Sequence, residues 1–425
     1  MIVRIRKGNT DPCEVRIPSS KSLSHRMLIV SALAEGRSVL KNVVRNEDTK
    51  ATIEALRLLG AEIRETEEEI EVEGIHDFSA YDGSVIDCKE SGSTLRFLIP
   101  LFAHTGRTCH FTGKGKLLER PMCVYETLFP LFERKKEKLI VQGDLKSGTY
   151  EIDGSISSQF VSGLLFLLPL LDGDSRIHLK EPVESLSYID LTIDVLHMAE
   201  IEVRREGNQI FVKGNQVYQP IVSEVSGDDS QAAFFCAFAT LAQKEVHIHN
   251  MRHDSAQGDR VMLSLMQKSG AVVSEVEDGY KICASEANAI EADLRDCPDL
   301  GPVLFALATQ LNGTSHFTHT RRLRMKESDR IASMKEELDK LGCEMEYDED
   351  SVAIRGKTEI RKEVLLDGHN DHRIVMALSV LALSSENGCT IRGAEAVNKS
   401  YPEFFEDLKK TGCTVEFTEE EKRDD

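Results

Sequence analysis

The sequence predicts an α/β protein made of two similar domains, each of three β-α-β-α-β-β units. Three observations predict it. Very apolar helical segments begin after a small or acidic polar residue near Ser20, Ser91, Ser157, Ser230, Asp299 and Asp371, at intervals of 66–73 residues. Amphipathic helices end at Gly60, Gly270, Gly342 and Gly412, with Phe132 and Ala199 in the equivalent places, at intervals of 67–72 residues. A short alternating strand follows each first helix, and a hairpin follows most second helices. Two series sharing one period mark an internal repeat, and glycine suits the left-handed residue past a helix end.

The first helix follows a strand-like run at 15–17 and Pro18. Ser19 and Ser20 stand before the apolar run 27–34, a helix N-cap signal. Equally apolar helices recur at 160–171, 232–241, 303–311 and 374–383, and helices apolar nearly all round are buried. Strands follow at 176–179, 245–249, 315–318 and 389–392. Among the second helices, Ile331, Met334, Leu338 and Leu341 share one face, and Tyr401, Phe404 and Leu408 fit the same frame. Hairpins are expected at 61–63 with 69–72 and at 343–347 with 351–354. The second unit departs. Residues 135–138 are followed only by 139–141 before Gly143, which predicts a trimmed hairpin. Three units to a domain place one domain at 17–226 and the other at 1–16 plus 227–425. The hinge falls near 16–20 and 224–228, where Ser226-Gly227-Asp228-Asp229 breaks the pattern. Residues 1–16 then form a strand that completes the second domain, and the charged stretch 419–425 is expected to fray.

With 425 residues, 41% hydrophobic and 29% charged, the chain is long enough for more than one core and ordinary for a globular protein. It has no apolar run long enough to span a membrane and no apolar signal segment, so it is expected to be cytoplasmic. Its ten cysteines are scattered, form no CxxC pair, and are expected to be free and mostly buried. A formal charge of −20 disfavours nucleic acid and anionic membranes as partners.

Equivalent helices point one way, so their N-termini gather on one face of each domain. Such ends carry free N–H groups and partial positive charge, which suits anions. First helices start at Lys21, Ser22 and Arg26; Gly92 and Ser93; Ser157, Ser158 and Gln159; Asp228 and Ser230; Asp299; and Asp371, His372 and Arg373. Second helices start at Asp48; Arg120; Ser185 and Tyr188; Asp254; Lys326, Glu327 and Arg330; and Lys399. Ordinary capping explains the Ser and Asp residues. It does not explain Arg120, Arg330, Arg373 or Lys399, because a cation opposes the dipole at a helix start. Seven basic groups gathered there, against the overall charge, predict a polyanion site, with Asp299 and Glu327 as acid–base candidates. Other motifs are weaker. Residues 113–116 lack full phosphate-loop spacing and read as a turn. His247 with His249 reads as a solvated strand face, and His369 with His372 is a poor metal pair.

The motifs Pro18-Ser19-Ser20-Lys21-Ser22 through Arg26, Glu90-Ser91-Gly92-Ser93-Thr94-Leu95-Arg96, Leu118-Glu119-Arg120-Pro121 and Gly154-Ser155-Ile156-Ser157-Ser158-Gln159-Phe160 carry a specific resemblance. So do Lys326-Glu327-Ser328-Asp329-Arg330, Asn370-Asp371-His372-Arg373 and Asn398-Lys399-Ser400-Tyr401-Pro402. Together, in this order over almost the whole chain, they resemble the 5-enolpyruvylshikimate-3-phosphate synthase family. The resemblance implies the enolpyruvyl transferase fold, an inverse α/β barrel-like arrangement of two three-unit domains closing on substrate. It implies phosphoenolpyruvate and shikimate 3-phosphate as substrates, no cofactor, no metal, and a monomer. By match, Ser22 and Arg26 hold the shikimate carboxylate. Ser157, Ser158 and Ser185 hold its phosphate, with Lys21, Gln159, Tyr188, Asp299 and Lys326 nearby. Lys21, Arg120 and Lys399, near Gly92 and Gln159, surround the phosphoenolpyruvate phosphate, and Arg330 and Arg373 hold its carboxylate. Lys21, Asp299 and Glu327 are the implied catalytic groups.

Glu90 and Arg322 stand where many relatives have asparagine, and an acid at Glu90 needs a cation such as Lys21 or Arg120 beside it. Two alternatives stay in view. The sister transferase acting on UDP-N-acetylglucosamine typically has Lys-Asn where Lys21-Ser22 stands, and a reactive loop cysteine that neither Cys109 nor Cys123 matches. A non-catalytic repeat scaffold would not need Lys21, Asp299, Glu327 and the arginines.

Overall fold

The computed structural model describes residues 1–283 and 287–418, so the 419–425 stretch lies outside the described residues. The chain divides into two compact units, Ser19–Ser226 and Met1–Pro18 with Gly227–Asp425. Each has its own hydrophobic core.

Among the described residues, twelve α-helices alternate as first and second helices of six repeats. The Ser19–Ser226 unit holds α1 (Lys21–Leu33), α2 (Glu47–Leu59), α3 (Gly92–Ala103), α4 (Cys123–Leu128), α5 (Ser158–Leu167) and α6 (Leu186–Met198). The other holds α7 (Asp229–Leu241), α8 (Val261–Ser269), α9 (Gly301–Ala308), α10 (Arg330–Leu341), α11 (His372–Leu381) and α12 (Phe404–Lys410). First helices are apolar on every side and accordingly buried; α7, α9 and α11 pack on one another, and α3 packs on α5. Second helices are amphipathic and bury one face, as Ile331, Met334, Leu338 and Leu341 do on α10.

Each repeat has a four-stranded sheet of one pattern. An edge strand runs parallel to its neighbour, and the next two strands are antiparallel. Two repeats exchange their edge strands. Residues 13–16, just before α1, pair in parallel with 246–249 of the fourth sheet. Residues 222–224, just before α7, pair with 39–41 of the first. The N-terminal segment holds two strands rather than one, since residues 2–6 insert antiparallel between 389–392 and 414–418.

The second repeat differs from expectation. Its hairpin is complete, at Leu131–Lys135 and Lys138–Gln142. What is short is helix α4, which ends at Leu128, so Phe132 lies on a strand and not at a helix end. Phe129 is extended (φ −99°, ψ 132°) because it precedes Pro130, which disfavours helical backbone there. Other second helices also start later than expected. Short 3-10 turns at Gly258–Arg260, Arg321–Met325 and Ala394–Lys399 come before α8, α10 and α12. Asp254, Lys326, Glu327 and Tyr401 therefore lie ahead of their helices.

Gly60, Gly270 and Gly342 cap α2, α8 and α10 with φ of 114°, 110° and 87°. Among the described residues all ten cysteines are free and eight are buried; Cys283 is half-buried and Cys123 exposed. No described helix is long and apolar enough to cross a membrane. Replacing Gly342 by alanine forces a side chain into left-handed backbone and places its Cβ 3.1 Å from Arg361 Nε. Urea unfolding should show a loss of about 1–2 kcal/mol for Gly342→Ala.

Candidate active site

In the Ser19–Ser226 unit the expected residues cluster at the N-terminal ends of α1, α3, α5 and α6. Ser20, Ser91 and Ser157 cap α1, α3 and α5, accepting from the amides of Leu23, Thr94 and Gln159. Lys21 and Ser22 open α1, and Lys21 Nζ lies 3.1 Å from the Asp48 carboxylate on α2. Ser158 begins α5, and Ser185 caps α6 in a left-handed conformation, φ 58°.

Arg26 is buried, and four of the five N–H donors of its guanidinium are used inside the unit. Nε donates to Thr192 Oγ1 at 2.8 Å, and Nη1 to the Ser22 carbonyl at 2.8 Å. Nη2 donates to the Tyr188 carbonyl at 3.0 Å and to Ser162 Oγ at 3.4 Å. Burial pushes its pKa down to about 10, so it stays charged at neutral pH. Arg26 thus ties α1 to α5 and α6 and has one N–H to offer elsewhere.

Gly92 marks a second convergence. A Cβ there would lie 3.0 Å from Arg120 Nη1 and 3.5 Å from both Arg96 Nη1 and Gln159 Oε1. Arg96 donates to Gln159 Oε1 at 2.7 Å and to the Pro121 carbonyl at 3.1 Å. Gln159 Nε2 in turn donates to Ser93 Oγ at 3.1 Å. The Glu90 carboxylate lies over the 113–116 turn, with both oxygens 3.2 Å from where a Cβ on Gly115 would stand.

In the other unit one guanidinium organises the site. Arg330, the first residue of α10 and 1% exposed, donates from Nε to Asp371 Oδ2 at 2.8 Å and from Nη1 to Asp299 Oδ1 at 2.9 Å. Its Nη2 reaches Glu327 Oε2 at 2.8 Å and Asp371 Oδ1 at 3.3 Å. Asp299 also pairs with Lys326 at 3.1 Å and with Arg373 at 3.2 Å. Arg373 donates to Ser230 Oγ at 2.8 Å, and Lys399 Nζ to the Asn370 carbonyl at 2.7 Å. Asp371 caps α11, whereas Asp299 sits in a 3-10 turn ahead of α9 and spends its carboxylate on cations. Asp299, Glu327 and Asp371 thus face Lys326, Arg330 and Arg373, with Arg322 acting on Lys326 and with Asp259 and Asp228 acting on Arg373.

The protonation states follow from that balance. Burial opposes ionisation of Asp299, but Arg373, Lys326 and Arg330 hold its pKa well below the usual carboxylate range. Burial likewise opposes Asp371, and Arg330 lowers it. Arg330 is pushed up by Asp371, Glu327 and Asp299 against the effect of its own burial. Lys326 is lowered by burial, with Asp299 working the other way. Sequence reasoning had Asp371 and Ser230 only as helix starts and gave Arg96 no role. A lone arginine between Leu95 and Phe97 in an apolar helix was the available signal.

A family model described as EPSP synthase (3-phosphoshikimate 1-carboxyvinyltransferase) matches residues 5–408. The 3-phosphoshikimate 1-carboxyvinyltransferase of Clostridium kluyveri is 41% identical over 410 residues, covering 95% of this chain and 96% of that one. That of Clostridium acetobutylicum is 39% identical over 419 residues, with 95% and 97% covered. The chain belongs to the EPSP synthase family. The EPSP synthase structure from Acinetobacter baumannii shares the fold at 24% identity, TM-score 0.79, over 98% of this chain and 99% of that one. So does the enolpyruvyl transferase NikO from Streptomyces tendae, at 15% identity and TM-score 0.79, over 98% of both chains.

Asp371 and Arg330 are both fully enclosed, so removing Asp371 strips Arg330 Nε of its acceptor and the buried cluster of one of its negative charges. Asp371→Ala should cost about 3–5 kcal/mol in urea unfolding at pH 7. Asp299 and Asp371 have native pKa values below the ordinary 3.8. Their contribution is therefore complete above the ordinary value and is lost as pH falls through the lowered native ones. Wild-type stability should fall steeply below about pH 4, and Asp371→Ala should flatten that limb.

Proposed function

We propose that this enzyme transfers the carboxyvinyl group of phosphoenolpyruvate to the 5-hydroxyl of shikimate 3-phosphate and releases phosphate. The observation that carries the reading is the Asp299–Lys326–Glu327–Arg330–Arg373 cluster in a chain of this family. It sets acid–base groups beside cations able to receive a carboxylate. The alternative sugar substrate, UDP-N-acetylglucosamine, is tested below.

On this reading Ser22 and Arg26 receive the shikimate carboxylate, and Ser157, Ser158 and Ser185 its phosphate, with Gln159 and Tyr188 alongside. Lys21, Gly92, Arg120, Gln159 and Lys399 serve the phosphoenolpyruvate phosphate, and Arg330 and Arg373 its carboxylate. Segments 17–226 and 1–16 with 227–425 are the two working domains, joined near 16–20 and 224–228. The protein acts as a monomer in the cytoplasm.

The reaction moves two protons and one C–O linkage. Once the substrate carboxylate takes over Arg330, Glu327 takes up a proton and gives it to the methylene carbon of phosphoenolpyruvate, while the 5-hydroxyl oxygen attacks the adjacent carbon and its proton leaves to Asp299. In the tetrahedral intermediate the bond to the phosphate oxygen then breaks, assisted by Lys21, and the departing phosphate takes up the proton that the 5-hydroxyl gave to Asp299, which returns to its carboxylate form. Glu327 takes a proton back from the methyl group, and the double bond returns. No electron carrier enters this balance.

Asp299 held by three cations is a weak base. A substrate carboxylate received by Arg330 and Arg373 draws those charges away and restores its basicity. The resting cluster is then a self-neutralised form of the working one, and substrate binding arms it.

Phosphate release should require phosphoenolpyruvate and shikimate 3-phosphate together, and Glu327→Ala should lower kcat by about 10²–10⁴. Release with UDP-N-acetylglucosamine instead, or an unaffected variant, would contradict the reading. A methyl group at Gly92 displaces Arg120, so Gly92→Ala should raise KM for phosphoenolpyruvate by about tenfold or more, with a smaller effect on kcat.

A further inference from the structure

The fully buried carboxylate of Glu337 lies outside the groups used above. Glu337 stands seven residues, or two turns, after Arg330 on the same face of α10. Its side chain is 0% exposed. Oε2 accepts from the Asp367 amide at 3.0 Å, and Oε1 from His369 Nε2 at 2.8 Å and Lys340 Nζ at 2.7 Å. Helix α10 therefore grips the segment before α11 at two levels: Arg330 holds Asp371, and Glu337 holds Asp367 and His369.

The gripped turn is costly. His369 and Asn370 are consecutive non-glycine residues in left-handed backbone, φ 49° and 52°. Each costs about 1–2 kcal/mol and persists only where its surroundings fix it. The turn faces the Asn370 carbonyl toward Lys399 and delivers Asp371 and Arg373 to the Asp299 cluster. We propose that Glu337 and His369 are positioning residues that fix the 367–371 turn and, through it, hold Lys399, Asp371 and Arg373 in place for the phosphoenolpyruvate side of the site. The inference rests on the reaction proposed above.

The groups facing His369 are Glu336, Glu337 and Lys340 from α10, and Asp367, which also binds Arg392 at 2.8 Å. Lys340 Nζ lies 2.7 Å from Glu337 and 3.1 Å from Glu336, so the three-ligand grouping of Glu336, Glu337 and His369 already holds a cationic side chain. The hydrogen bond to Glu337 raises the His369 pKa above 6.5. The charged His369–Glu337 pair is thus complete below the ordinary value and weakens as pH rises through the raised one.

The test compares wild type, His369→Ala and His369→Gln in phosphate release and in amide hydrogen exchange across 366–373. His369→Ala should raise KM for phosphoenolpyruvate about tenfold, change kcat less than about threefold, and speed exchange in the segment. His369→Gln keeps a neutral donor. It should recover most of the KM at alkaline pH and fall behind wild type as pH drops through the His369 transition. Unchanged KM and exchange in His369→Ala, or parallel pH profiles for wild type and His369→Gln, would overturn the inference. If wild type releases no phosphate from the two substrates, the reaction proposed above fails instead, and hydrogen exchange alone decides the role of the pair.

Discussion

The guanidinium of Arg330 is the interaction on which the Met1–Pro18 and Gly227–Asp425 unit depends at its functional end. It binds Asp299 ahead of α9, Glu327 ahead of its own helix and Asp371 at the cap of α11. A cation at a helix start opposes the macrodipole. Three carboxylates accept from that guanidinium and supply the opposite charge. Buried charge in such a cluster is a poor source of stability compared with apolar packing. Its place at helix starts that serine alone could cap suits the receipt of anions.

The Ser19–Ser226 unit solves the same geometric problem differently. Here α1, α3 and α5 start at serine caps, and the central cation, Arg26, is held by hydroxyls and carbonyls of Thr192, Ser162, Ser22 and Tyr188. No carboxylate neutralises Arg26 in those contacts. One repeat thus yields a cluster of paired opposite charges in one unit and an arginine held by neutral acceptors in the other. The first suits reversible proton transfer; the second suits fixed anion recognition.

Much of this was legible in the chain because the repeat is written twice, in apolar first helices and in glycine-ended second ones. Arg120, Arg330, Arg373 and Lys399 stood out because capping does not explain a cation at a helix start. Two features were hidden. The length of α4 turned on Pro130, whose effect on Phe129 is local and was outweighed by the expected period. The exchange of strands 13–16 and 222–224 between sheets is a matter of pairing partners, which alternation within a strand does not encode. Asp371 was visible as a cap, but its second role, gripping Arg330, depends on which neighbours the fold brings to it.

The central claim is that the resting cluster neutralises itself and that substrate binding releases Asp299 to act as a base. The direct measurement is the Asp299 pKa by carbon NMR of carboxyl-labelled aspartate, assigned with Asp299→Asn. It is taken with and without phosphoenolpyruvate and shikimate 3-phosphate, in a Glu327→Gln background that stops turnover. The account predicts a carboxyl well below the ordinary range in the free protein that moves up when both substrates bind. An Asp299 pKa that is ordinary in the free protein, or that does not rise on binding, would contradict it.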